Sequence, residues 1–95
     1  MSRQAKEVDI HMARIIDGDK MNMVGENIRK YRIKRGYSQQ TLSNKLELLG
    51  VYICRGSISR IEEQLRTVSD IELFALAKVL DIPLEALFED CHLAE

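Results

Sequence analysis

The chain has little of what a disulfide scaffold, a membrane span or an active site requires. Its only cysteines are Cys54 and Cys91. They lie too far apart for a metal knuckle and too few in number for a disulfide framework, so reduced thiols are expected. No run of apolar residues is long enough to cross a bilayer, and the first residues lack the apolar centre of a signal peptide, so a cytoplasmic location is expected. No glycine-rich phosphate loop occurs, and no Ser/His/Asp or Cys/His set has a sensible context. An enzyme is therefore the least expected class, with no catalytic residue, no metal and no cofactor; Cys91 with His92 would make at most half of a metal site. His11 reads as a solvated histidine. Internal repeats, low-complexity segments and stretches that demand a strand are all missing.

What remains is one small domain. Ninety-five residues, 45% hydrophobic and 31% charged, suffice for a single core but leave no room for an enclosed active site plus a substrate domain. The formal net charge of −1 hides a strong asymmetry. Residues 24–66 hold nine Lys or Arg against four Asp or Glu, residues 67–95 hold one against seven, and the first 23 residues balance at four and four. One half could face a polyanion that the other half repels.

Apolar periodicity divides the chain into helices. Val8, Met12, Ile15 and Ile16 suit an amphipathic helix from about Arg3 to Asp17, ended by Gly18. This leader is either frayed or packed on a second subunit. Val24, Ile28 and Tyr31 predict helix 1 to about Lys34, stopped by Gly36, with Arg29 and Lys30 on a basic outer face. Ser38 is a good N-cap for helix 2, whose inward stripe is read as Leu42, Leu46 and Leu49. The free N–H groups at that helix start, its dipole and the Gln39 side chain together suit a phosphate oxygen. Gly50 to Ile53 reads as an extended connector. Helix 3 should open near Cys54 or Arg55, run to about Glu63 and bury Ile58 and Ile61. Arg55, Gly56, Ser59 and Arg60 then face outward at its N-terminal end, where a groove-docked helix makes base contacts. Helix 4 is read over 71–80, with Ile71, Leu73, Phe74, Leu76, Ala77 and Leu80 as apolar positions. Pro83 opens helix 5, with Leu84, Leu87 and Phe88 as its apolar face.

The segments VGENIRKYRIKRGYSQ, Leu42 with Leu46, ISRIE, and LFALAKVLDIPLEALF follow one another in an order that resembles the Cro/C1-type (Xre-like, lambda-repressor-like) helix-turn-helix family over residues 24–88. The resemblance implies an all-α fold, a compact five-helix bundle over 23–89, preceded by the leader at 1–22 and followed by an acidic tail at 90–95. It implies that Gln39 bonds a backbone phosphate, that Arg55, Gly56, Ser59 and Arg60 read bases, and that Arg66 in the loop after helix 3 touches phosphate. It also implies a structural ion pair between Arg32 and Glu62. The chain departs from the family in its longer connector, in Cys54 where Ser or Thr usually caps, in Gly56, which has no side chain to read with, and in Gln64 at a position where Gly is usual. Tyr52 falls near DNA or near a partner.

The function these residues imply is a sequence-specific DNA-binding transcriptional regulator. Arg55 and Arg60 would read guanine, while Arg29, Lys30, Ser38, Gln39 and Arg66 would hold phosphate. A homodimer on a two-fold symmetric site fits a domain of this size, through either the leader or helix 5 with Phe88. The competing reading uses the same bundle to hold a protein partner, as an antitoxin-like or regulatory module. Thiol or metal sensing at Cys54 is a third, since modification there would obstruct docking.

Overall fold

A computed structural model describes residues 18–91; the expected leader helix with its Val8, Met12, Ile15 and Ile16 stripe, His11, His92 and most of the acidic tail lie outside them. Among the described residues four α-helices follow in order: α1 Gly25–Lys34, α2 Gln39–Glu47, α3 Arg55–Glu62 and α4 Asp70–Leu80. A 3-10 helix, Leu84–Phe88, comes last. Among the described residues there is no strand, and no helix is long and apolar enough to cross a membrane.

The architecture is all-α, with one correction to the expected five-helix bundle: the fifth element is a single 3-10 turn. Two side-chain bonds fix its end. Asn27 donates to the carbonyls of Leu87 and Glu89, both at 2.9 Å, so those oxygens point into α1 and not along a helix axis. Asp90 then turns left-handed at φ 61°.

α1 and α2 both pack on α3, α2 also packs on α4, and the 3-10 helix lies against α1 and α4. Ile28, Leu42, Leu46, Leu76, Leu80 and Leu87 are fully buried at their centre, with Ile58 and Ile61 of α3 alongside them. Five positions read as part of an apolar face are exposed, Leu84 and Phe88 of the 3-10 helix among them. Leu49 is 55% exposed, and Ile53 of the connector takes its place in the core at 2%. Ile71 and Phe74 are 68% and 60% exposed, because α4 is covered on one side only. The stripe of α4 that is covered consists of Ala75, Leu76, Ala77 and Leu80.

Each of these four α-helices ends in the same Schellman motif. In each, a left-handed residue donates to the carbonyl three positions back, and the next residue donates five back. The pairs are Gly36 to Ile33 with Tyr37 to Arg32, Gly50 to Glu47 with Val51 to Leu46, Gln64 to Ile61 with Leu65 to Arg60, and Asp81 to Lys78 with Ile82 to Ala77. The second residue is apolar or aromatic each time, and Tyr37, Val51 and Ile82 pack on the core. The connector expected to be extended therefore continues α2 as a turn through Gly50, at φ 80°. Only Val51 to Cys54 runs on from that turn to α3, held where Ser43 donates to the Ile53 carbonyl at 2.7 Å.

Glycine suits this left-handed position, and Gln64 and Asp81 hold it at some cost, on the order of 1 kcal/mol. Gln64 has a compensating bond to the Asn22 carbonyl at 2.9 Å. Among the described residues the Asp81 side chain has only a loose pair with Arg35 at 3.8 Å, and Arg35 keeps its bonds to the Leu80 and Asp81 carbonyls without that side chain. Asp81→Gly is thus expected to stabilise the domain by roughly 0.5–1 kcal/mol, a few degrees in thermal midpoint. A lower midpoint in a melting curve would mean that the carboxylate itself supports the turn.

Candidate nucleic-acid interface

α3 is fixed in place from three sides, and its free face is the candidate surface. Ile58 and Ile61 anchor it in the core. At its C-terminal end the Asn22 side chain donates to the Ile61 and Arg66 carbonyls at 3.0 and 2.8 Å, while its Oδ1 accepts from the N–H groups of Val24 and Gly25. One buried amide therefore starts α1 and holds the end of α3 with every donor used. Met21 adds a backbone bond to Gln64, so Met21 and Asn22, assigned above to the leader, are knitted to the domain. Gly25 permits this approach, since a Cβ there would overlap the Ile61 carbonyl oxygen.

The third anchor is ionic. Arg32 of α1 meets Glu62 in a bidentate pair, with Nε donating to Oε2 at 2.6 Å and Nη2 to Oε1 at 3.0 Å. Its remaining arm donates to the Tyr37 carbonyl at 2.8 Å. The two side chains are only 11% and 2% exposed. Gln39, at the start of α2, also donates to Glu62, at 3.1 Å. The network thus joins α1, α2 and α3 around one carboxylate and sets the Gln39 amide beside the start of α2.

With α3 held this way, Arg55, Gly56 and Arg60 are exposed and Ser59 is half-buried, on the part of the helix surface that Ile58 and Ile61 leave free. Among the described residues Arg29, Arg55 and Arg60 enter no salt bridge. Arg29 lines a surface hollow between α1 and the end of α3 together with Glu26, Glu62 and Glu63. The other two cationic candidates, Lys30 and Arg66, have carboxylate partners within the protein. Lys30 pairs with Glu89 at 2.9 Å, and the Tyr31 hydroxyl donates to the same carboxylate. These two bonds, that of Lys30 first, hold the Glu89 carboxyl below its ordinary range. Ser38 caps α2 by accepting from the Thr41 N–H, and its own hydroxyl donates to Thr41 Oγ1, both at 2.9 Å.

Arg66 serves α4. It grips Glu72 with two bonds of 3.0 and 2.9 Å, and Glu72 closes a capping box with Ser69. The pattern Ser69-x-x-Glu72 is a sequence signal for such a cap; no comparable signal marks Arg66 as its partner. The hydrogen bond from Arg66 holds the Glu72 carboxyl below its ordinary range, with the Ser69 N–H assisting. A carboxyl lowered in the folded state contributes stability that is fully present above its unfolded value of about 4.3 and is lost as pH falls through the lower folded value. Urea midpoints measured from about pH 6 down to pH 3 should therefore fall less steeply for Glu72→Gln than for the natural chain. Parallel curves would mean that Glu72 titrates alike in both states.

The connector delivers the chain to the N-terminal end of α3 with Tyr52 76% exposed. Tyr52, Cys54 and Ser57 line a notch there with Ser43 and Glu47. Cys54 occupies the cap position without a side-chain cap bond to the backbone, and its thiol is pushed below its ordinary range, chiefly by the Ser57 hydroxyl. Among the described residues no cluster of three potential metal ligands occurs.

The model of a family described as Helix-turn-helix matches residues 28–87. The HTH-type transcriptional regulator SinR of Bacillus subtilis (strain 168) is 32% identical over 74 residues, covering 77% of this chain and 62% of that protein; the chain thus spans less than two-thirds of that relative. The restriction-modification controller protein C.AhdI from Aeromonas hydrophila has a similar structure, with a TM-score of 0.60 and 32% identity over 68% of this chain and 87% of its own. SinR solved in complex with DNA also gives a TM-score of 0.60, at 34% identity, covering 70% of this chain and all of that one.

Proposed function

This chain belongs to the Cro/C1-type helix-turn-helix family, and on that ground we propose that it is a sequence-specific DNA-binding transcriptional regulator that docks α3 in the major groove. The observation that carries the proposal is the pair Arg55 and Arg60, outside any salt bridge among the described residues and exposed on a helix whose buried side is locked into the core. Arginine matches the O6 and N7 edge of guanine with two parallel donors, and a rigid helix lets two arginines address neighbouring base pairs. Gly56 and Ser59 complete the reading face.

Phosphate is met first by the start of α2. Gln39 donates to Glu62 through one N–H, which leaves the second amide N–H and the helix dipole for a phosphate oxygen. Arg29 extends the phosphate-binding surface along α1. Lys30 and Arg66 join only by sharing or exchanging the carboxylates they now hold, and Ser38 only by releasing Thr41, so these three contribute less.

A homodimer on a two-fold site is part of the same proposal. Ile71 and Phe74 of α4, with Leu84 and Phe88 of the 3-10 helix, are exposed large apolar residues on elements that pack together, and a partner subunit would cover them. Selection of bound sites from random duplex DNA tests the reading. Enrichment of one motif, repeated with two-fold symmetry, is expected; the absence of any enrichment would replace the regulator with a module that holds a protein partner.

A further inference from the structure

The five glycines of the chain separate into four that the fold needs and one that it does not. Gly18, Gly36 and Gly50 are left-handed, and Gly25 has no space for a Cβ. Gly56 has neither reason. It lies within α3 without a left-handed backbone, and a Cβ built on it meets no atom within 4 Å. Glycine in a helix is less favourable than alanine because more backbone freedom is lost on folding. In the first turn of α3, then, the residue is expected to cost some stability, and neither backbone geometry nor packing requires it.

Its place suggests what does gain. Gly56 is exposed between Arg55 and Arg60 and shares their face with Ser59. The absence of a side chain allows another molecule to come against the helix backbone itself. Building on the DNA-binding reading above, we propose that Gly56 is a specificity-determining position, a steric notch that lets the floor of the major groove come into van der Waals contact with the backbone of α3. A side chain here would hold the helix away from the bases and lift the flanking guanidinium groups out of bonding range. Gly56 therefore selects by shape, and Arg55 and Arg60 read by hydrogen bonding only because it lets them in.

The test is a pair of measurements on Gly56→Ala and Gly56→Val in the full chain, using the duplex that the natural protein selects and a scrambled duplex. For Gly56→Ala the thermal midpoint is expected to rise by roughly 2–5 °C, part of the gain seen in helix interiors. Affinity for the selected duplex is expected to drop at least about fivefold, the size of one mismatched base pair, and to drop further for Gly56→Val, while the scrambled duplex is bound as before. Undiminished affinity of Gly56→Ala would overturn the proposal, and so would a lower midpoint, which would give the glycine a role in folding. Failure of the natural protein to prefer its selected duplex would overturn the DNA-binding reading itself and the notch with it.

Discussion

Replacing Glu62 by alanine is expected to destabilise the domain by about 3–5 kcal/mol, because the Arg32 guanidinium would be left buried with only the Tyr37 carbonyl as partner. Few other single changes should cost as much in a domain whose whole stability is on the order of 5–15 kcal/mol. Glu62 accepts from both Arg32 and Gln39, so its loss also loosens α2 at the point proposed to meet phosphate. Joint replacement, Arg32→Met with Glu62→Leu, should recover most of that loss, since a buried pair contributes little beyond what apolar packing supplies. Urea unfolding of the two single variants and the double variant measures this directly. A loss below about 1 kcal/mol for Glu62→Ala would mean that solvent reaches the pair, as it does for surface bridges.

The second large effect is on binding. Arg55→Ala and Arg60→Ala are each expected to cost about 1–3 kcal/mol of discrimination, so the double variant should lose roughly 30-fold to 10⁴-fold in affinity for its best site. Both side chains are exposed and, among the described residues, outside any salt bridge. Stability should therefore shift by no more than about 0.5 kcal/mol. Arg29→Ala offers the contrast. Without that guanidinium one phosphate is no longer neutralised, which weakens binding to all sequences alike and reduces the salt slope by about one.

Much of the fold could be read from apolar spacing. Val24 and Ile28, Leu42 and Leu46, and Ile58 and Ile61 are buried pairs, each set three or four residues apart, and Gly36 and Gly50 stand at helix ends as chain-reversing residues do. Periodicity fails where burial is decided by another element. Leu49 follows the stripe of α2 but lies beyond Glu47, where the closing turn carries it into solvent, and Ile53 reaches the core from the connector. Ile71 and Phe74 fit an apolar helix, yet nothing among the described residues covers that face of α4. The length of α4 showed no sign of this.

The polar anchors were harder to see for a different reason. Asn22, Asn27 and Arg35 act through backbone carbonyls far along the chain, and a carbonyl has no sequence signature. The same holds for the partners of Lys30 and Arg66. A basic residue expected to meet phosphate looks alike in sequence whether its charge faces solvent or a carboxylate such as Glu89 or Glu72. The exposed residues of α3 are simpler, because two buried isoleucines three positions apart leave only one face for Arg55, Gly56 and Arg60.

The claim that α3 reads DNA is tested most directly by titrating the selected duplex against salt with the natural protein and with the Arg55→Ala, Arg60→Ala variant. Log affinity of the natural protein is expected to fall linearly with log salt, at about −0.9 per phosphate neutralised, and the variant to bind the selected duplex no better than a scrambled one. A flat salt response, or equal affinity of the variant for the selected site, would contradict it.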